Sequence, residues 1–166
     1  MGNRYLVNIL KFAGLVLLQV LLLDNILLFG YVNPYVYILF LIMLPTTINR
    51  SRLLVVAFFR GLCIDIFNNT GGVHAASTLI ISFIRPFLLK LSFGLSYDYN
   101  TLNLTKTDFK SLLVYISMMV FIHHTFLFIL EYYSFTHLKL ILKNIALSFL
   151  LTEIFIIILI KLFNYK

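Results

Sequence analysis

The chain has 166 residues, of which 61% are hydrophobic and only 11% charged, against about 25% charged in a soluble domain. That leaves too little polar surface to cover a water-soluble globule, and a mean hydropathy of +1.01 makes lipid the expected solvent for a single polytopic domain, 1–166. The net charge of +7 comes without a basic run, which argues against nucleic acid and for loops that meet anionic lipid headgroups.

A helix needs about 20 residues to cross some 30 Å of hydrocarbon. Read in chain order, the pattern predicts six spans, at about 6–29, 34–48, 53–67, 73–91, 109–132 and 138–163. The expected fold is therefore an all-α integral membrane protein, a six-transmembrane-helix bundle. The first span follows Arg4 and Lys11 and is expected to stay uncleaved, because no small-residue cleavage site follows it. The second is short and breaks after Leu44, where Pro45 stands. It and the third span could together form a re-entrant hairpin. Two true crossings are favoured by charge: Arg4, Lys11, Arg50, Arg52, Lys90, Lys106, Lys110, Lys161 and Lys166 then share one side, against Lys139 and Lys143 on the other. The positive-inside rule puts both termini in the cytoplasm. Pro86 is expected to kink the fourth span.

Ionisable residues inside such spans need partners and usually mark the working region. Arg60 in the third span and Glu153 in the sixth sit at comparable depth and are expected to face the bundle interior as a pair. The other reading is that Arg60 snorkels to the headgroups and Glu153 is protonated. Asp65 and His74 flank the turn Asn68–Gly72. A carboxylate beside an imidazole would orient it, whereas the plainer reading has Asp65 and Asn68 capping helix ends. Arg85 precedes Pro86 and could satisfy the carbonyls that proline frees, or reach lipid phosphate. His123 and His124 point about 100° apart on a helix, so one is expected to line the bundle and the other to meet headgroups or a partner. Gln19 and Asp24 are expected to make interhelical hydrogen bonds. Tyr31, Tyr35, Tyr37, Tyr132 and Tyr133 read as interfacial anchors.

The lone Cys63 can form neither an internal disulfide nor a zinc cluster and reads as a packing residue. No nucleophile motif, phosphate-binding loop or metal-ligand spacing is present. The expectation is a protein that is not an enzyme and has no catalytic residues, no cofactor and no metal.

Gly61-Leu62-x-x-Asp65 at the end of the third span and Gly72-x-His74-Ala75 at the start of the fourth, with Phe83-x-Arg85-Pro86 further on, resemble the rod shape-determining protein MreD family. Gly61, Asp65, Gly72 and Ala75 match the wider family pattern, and His74, Arg85 and Pro86 a narrower branch. A family turn often has Pro where Gly71 stands here. The resemblance implies a fold similar to the substrate-binding subunits of energy-coupling-factor transporters. It also implies a non-enzymatic scaffold subunit of the bacterial cell-elongation complex, in the cytoplasmic (inner) membrane. Such a subunit would bind MreC and, through it, support peptidoglycan synthesis and cell shape. MreB filaments, the RodA glycosyltransferase and a penicillin-binding transpeptidase would be indirect partners. A partner's single helix is expected against the third and fourth spans, where Ala75, Ala76 and Ser77 would permit close approach. The residues expected to carry binding or structure are Arg60, Gly61, Asp65, Gly72, His74, Ala75, Arg85, Pro86 and Glu153. The alternative is a vitamin-type solute-binding subunit of a transporter. That class carries an Ala-x-x-x-Ala ladder in its first span, whereas Ala13 here is followed by Leu17.

Overall fold

The computed structural model describes residues 10, 12–26, 32–98, 102–104, 106–133 and 135–164. Arg4, Lys11, Tyr31, Lys166 and the ends of the first expected span lie outside them. The described chain is helical: α1 (Phe12–Asn25), α2 (Ile38–Met43), α3 (Arg50–Asn68), α4 (Val73–Phe93), the short α5 (Leu95–Asp98), α6 (Phe109–Tyr132) and α7 (Leu138–Asn164). Three of these, α4, α6 and α7, are long and apolar enough to cross a membrane, which is the mark of a membrane protein. At 19 residues α3 spans about 28 Å, but Arg52, Arg60 and Asp65 make it less apolar than those three.

The ends of these helices follow from local chemistry. Asn49 opens α3, its side chain accepting from the backbone N–H of Ser51 at 2.9 Å, and Asp108 opens α6 by accepting from Ser111 at 3.1 Å. Asn69 closes α3 in the left-handed region, at φ 55°, and Gly71 and Gly72 continue the turn at φ 63° and 97°. Four residues of turn force α3 and α4 to run antiparallel. Thr78 Oγ1 donates across their interface to the carbonyl of Ala57 at 2.9 Å.

What sets the α3–α4 distance is Gly61. A methyl group there would meet Ala75 Cα at 2.4 Å and the carbonyl oxygen of His74 at 2.5 Å. The contact is backbone against backbone, so no rotamer can relieve it. The close approach belongs to Gly61 rather than to the Gly71-Gly72 pair, around which there is open space. Beyond this pair, α4 packs on α6 and α6 on α7, while α1 meets α3.

The second expected span is the largest departure. Its helix is six residues long, about 9 Å of rise, far short of a continuous run over 34–48. Leu44 is extended, at ψ 146°, as a residue before proline prefers, so the break at Pro45 is real. Val36, Tyr37, Ile38, Leu41 and Ile42 are all 0% exposed. A helix that is apolar on every side belongs in an interior, and α2 sits in the middle of the main core, among Leu53, Ala57, Ile81, Met119 and Ile156.

Prediction: Gly61→Ala drives a methyl group into the α4 backbone and destabilises the protein by about 3 kcal/mol, the upper range for overpacking. Gly71→Ala has open space and pays only for its positive φ, about 1 kcal/mol. Thermal unfolding of both variants in the same detergent checks the order.

Candidate functional site

The candidate site is the polar interior around residues 34–45. A short helix leaves its terminal N–H and C=O groups without intrahelical partners, and this one is buried in the core, away from water. Five side chains, one from each of α1, α3, α4, α6 and α7, meet them instead.

Gln19 lies in a stretch of α1 where the helix widens into a π-turn (Leu18–Leu22). Its Nε2 donates to the carbonyl of Pro34 at 2.9 Å and to Asp24 Oδ1 at 2.8 Å, and its Oε1 accepts from the N–H of Tyr37 at 3.3 Å. Asp24 in turn accepts from Asn68 Nδ2 at 2.9 Å, tying α1 to the end of α3. Thr152 of α7 accepts from the N–H of Tyr35 at 2.9 Å.

Two buried arginines serve opposite ends of α2. Arg60, 0% exposed, donates to the carbonyls of Phe12 and, at 3.3 Å, Tyr37. Its guanidinium also lies over the rings of Phe12 and Phe40, at 4.8 and 5.2 Å. Arg85, 1% exposed, donates to the carbonyl of Leu44, to that of Ile42 at 3.4 Å and to that of Pro45 at 3.5 Å. Its Nε reaches Tyr115 Oη at 2.9 Å, and Tyr115 donates to Ile42 at 3.4 Å. The planar fork of an arginine fans five N–H donors over diverging carbonyls, against three at a single point on a lysine.

Expectations for both arginines are corrected here. Arg85 serves neither the carbonyls that Pro86 frees on its own helix nor lipid phosphate, because α2 ends directly in front of it. Arg60 is not paired with Glu153. The partner of Glu153 is Ser117 of α6, whose hydroxyl donates to Oε1. Arg60 does not snorkel outward either: backbone carbonyls of α1 and α2 and two aromatic faces hold it inside.

Tyr37, Tyr35, His74, His123 and His124 form the centre. Tyr37 Oη lies 2.8 Å from His74 Nδ1 and 2.8 Å from His123 Nε2. One hydroxyl has one proton, so it donates to one imidazole and accepts from the other, and the two tautomers are therefore linked. His123 Nδ1 is buried with no hydrogen-bond partner among the described residues. The ring of Tyr35 packs on His74, His124 and Phe128 at centroid distances of 5.8, 5.2 and 6.1 Å. His124 contacts the carbonyl of Val120 at 2.7 Å and Thr152 Oγ1 at 3.2 Å.

The expectation that one of the two adjacent histidines faces outward is overturned. Both are 0% exposed, because α6 lies between α4 and α7 and has a neighbour on each side. Tyr37 is likewise buried and is no interfacial anchor, while Tyr133, 81% exposed, remains accessible.

Asp65 does not touch the His74 imidazole in a hydrogen bond. Its carboxylate accepts from the backbone N–H groups of His74 at 3.0 Å and Ala75 at 2.8 Å, and from Thr70 Oγ1 at 2.5 Å. Gly72, the residue before α4, has no side chain with which to cap it. Asp65 supplies that cap from α3, where a negative charge meets the positive end of the α4 dipole.

Gly61, Asp65, Gly72, His74 and Ala75 thus gather at one α3–α4 junction, with Arg60, Arg85 and Pro86 further along the same helix pair. Glu153 stands apart on α7. Ala75 and Ser77 are 4% and 0% exposed, so they pack inside the bundle and cannot receive a partner helix. The residues that sequence reasoning passed over are Tyr115, Thr152 and, as an interior group, Tyr37. Two prolines bounding a short apolar segment were the available signal, since such a segment must find hydrogen-bond donors elsewhere.

No group of His, Cys, Asp and Glu suited to a metal occurs among the described residues. What the arrangement does chemically is hold an irregular segment in place and bury Tyr37 between two histidines, His74 and His123. No family model, no curated protein and no solved structure matches this chain.

Two predictions follow from this geometry. Arg85→Lys leaves carbonyls of α2 without donors and lowers stability by about 2–3 kcal/mol, read as thermal unfolding in detergent. In a double-substitution cycle, Arg60→Ala and Glu153→Ala add to within about 0.5 kcal/mol, because the two residues share no contact.

Proposed function

We propose that this chain is a non-enzymatic scaffold subunit of the bacterial cell-elongation complex, a multi-pass protein of the cytoplasmic membrane that binds an MreC-like protein. The observation that carries the reading is the α3–α4 junction. Gly61 packs on Ala75, and Asp65 caps the helix that follows Gly72. The residues that resemble the MreD family therefore act as a unit here, and what they do is architectural. Polar side chains in the oil are turned inward onto backbone, which suits a rigid platform. A platform of this kind acts through its outer faces and short loops.

On this reading the segment 34–48 with α3, together with α1, α4, α6 and α7, makes up the six-span bundle with both termini in the cytoplasm. The MreB filaments, the RodA glycosyltransferase and its transpeptidase are reached through the partner. Ala75 and Ser77 are buried, which leaves Ala76 as the part of the α4 N-terminal seam open to a partner. On this reading the partner helix uses the lipid-facing surface.

The test is co-purification in mild detergent from cells that carry the tagged full chain. An MreC-like protein is expected in the eluate. A tightly held small solute in its place would favour the transport reading. Reporter fusions after residues 70 and 100 should land on opposite sides of the membrane, and a shared compartment would refute the span count.

A further inference from the structure

Glu153 is the one polar group of the notable set that the interior does not absorb. It stands 15 residues into the 27-residue α7 and 11 from its end, about 22 Å and 16 Å along the axis, and so near the middle of a span. It is half-buried, and its hydrogen-bond partner among the described residues is the hydroxyl of Ser117, itself half-buried. One hydroxyl meets one of the carboxylate's two oxygens, where about four lone-pair positions ask for donors.

The surroundings form an outer seam between α6 and α7. One turn from the Ser117–Glu153 contact, Phe121 and Phe149 meet edge to face at 5.9 Å. Val114, Phe121, Leu150 and Ile154, 45–55% exposed, flank the seam on the lipid side. Only 28% of the apolar window of α7 is buried, against 50% for α6. The seam is thus an apolar helix face with one under-satisfied carboxyl group at mid-depth.

We infer that the α6–α7 seam docks a transmembrane helix of another protein that carries one arginine or lysine near its middle, which Glu153 receives. Charge complementarity selects this occupant. An ionisable group at membrane depth is costly unless paired, and a basic residue in a partner helix bears the same cost, so each offsets the other. A second copy of this chain does not fit. Its mid-span cations among the described residues, Arg60 and Arg85, are 0% and 1% exposed and already hold backbone carbonyls. The inference deepens the scaffold reading by naming the chemistry of the docked helix and moving its place from α3–α4 to α6–α7.

The experiment uses the purified full chain in phosphatidylcholine vesicles with two synthetic leucine-rich single-span peptides, one with a central arginine and one with a central leucine. Association is read by energy transfer. The arginine peptide is expected to bind about tenfold more tightly than the leucine peptide. Glu153→Gln keeps a partner for Ser117 and should abolish the difference, with helical content and melting unchanged. As a second measurement that leaves Glu153 intact, a cysteine at Ile154 in a Cys63→Ser background should crosslink to a cysteine peptide, and one at Phe59 on α3 should not. Equal binding of the two peptides, a preference that survives Glu153→Gln, or crosslinking at Phe59 instead of Ile154 would overturn the inference. Failure here with an MreC-like protein still co-purifying sinks the seam and spares the scaffold reading; the reverse outcome sinks that reading and spares the seam.

Discussion

Backbone polar groups buried away from water must be paired, and around Pro34–Pro45 only some of them can pair with one another. A helix of six residues leaves most of its donors and acceptors at its ends, and Pro45 stops it from growing beyond Leu44. The protein meets the requirement from outside the segment: Gln19, Arg60, Arg85, Tyr115 and Thr152 each bond to its backbone. Non-helical backbone at membrane depth is tolerated where protein surrounds it. The arrangement of α1, α3, α4, α6 and α7 around α2 is the form that this tolerance takes here.

That requirement also explains why so many expensive residues stand in an oily chain. Arg60 and Arg85 look like a charge to be neutralised by a carboxylate, yet each is satisfied by carbonyl dipoles, with aromatic faces added around Arg60. Bonds to a charged donor are stronger than neutral ones, and a fork of donors suits carbonyls that diverge at a helix end. Asp65 acts by the same logic in the opposite sense, its carboxylate held by N–H groups at the start of α4. Three of the ionisable residues in the oil therefore complete backbone hydrogen bonding. Glu153 does not: half-buried, it takes a side-chain hydroxyl, that of Ser117.

The Tyr37–His74–His123 contacts add a second level of order. They join the segment before α2 to α4 and α6 through groups whose proton positions are mutually dependent. Tyr35, two residues earlier, covers His74 and His124 with its ring. Moving α2 would break both bonds of the Tyr37 hydroxyl and leave further buried polar groups unpaired. The cluster lends uniqueness to the bundle as much as strength.

Much of this was legible in the residues alone. Hydropathy and length marked the apolar helices, and the bounds of α4, α6 and α7 fall within two residues of the pattern, because periodic apolar runs and caps such as Asp108 are local features. The break at Pro45 and the capping reading of Asp65 were also local, since proline geometry and turn residues act over a few positions. Partners were not legible. That Arg85 meets Leu44, that Arg60 meets Phe12 and Tyr37 rather than Glu153, and that both His123 and His124 are enclosed depend on which helix lies beside which. An arginine in oil states its need for acceptors in the sequence. Whether a carboxylate or a bare carbonyl answers that need is decided only when the helices pack, because the backbone groups left unpaired by a short helix exist in the fold and not in the residue pattern.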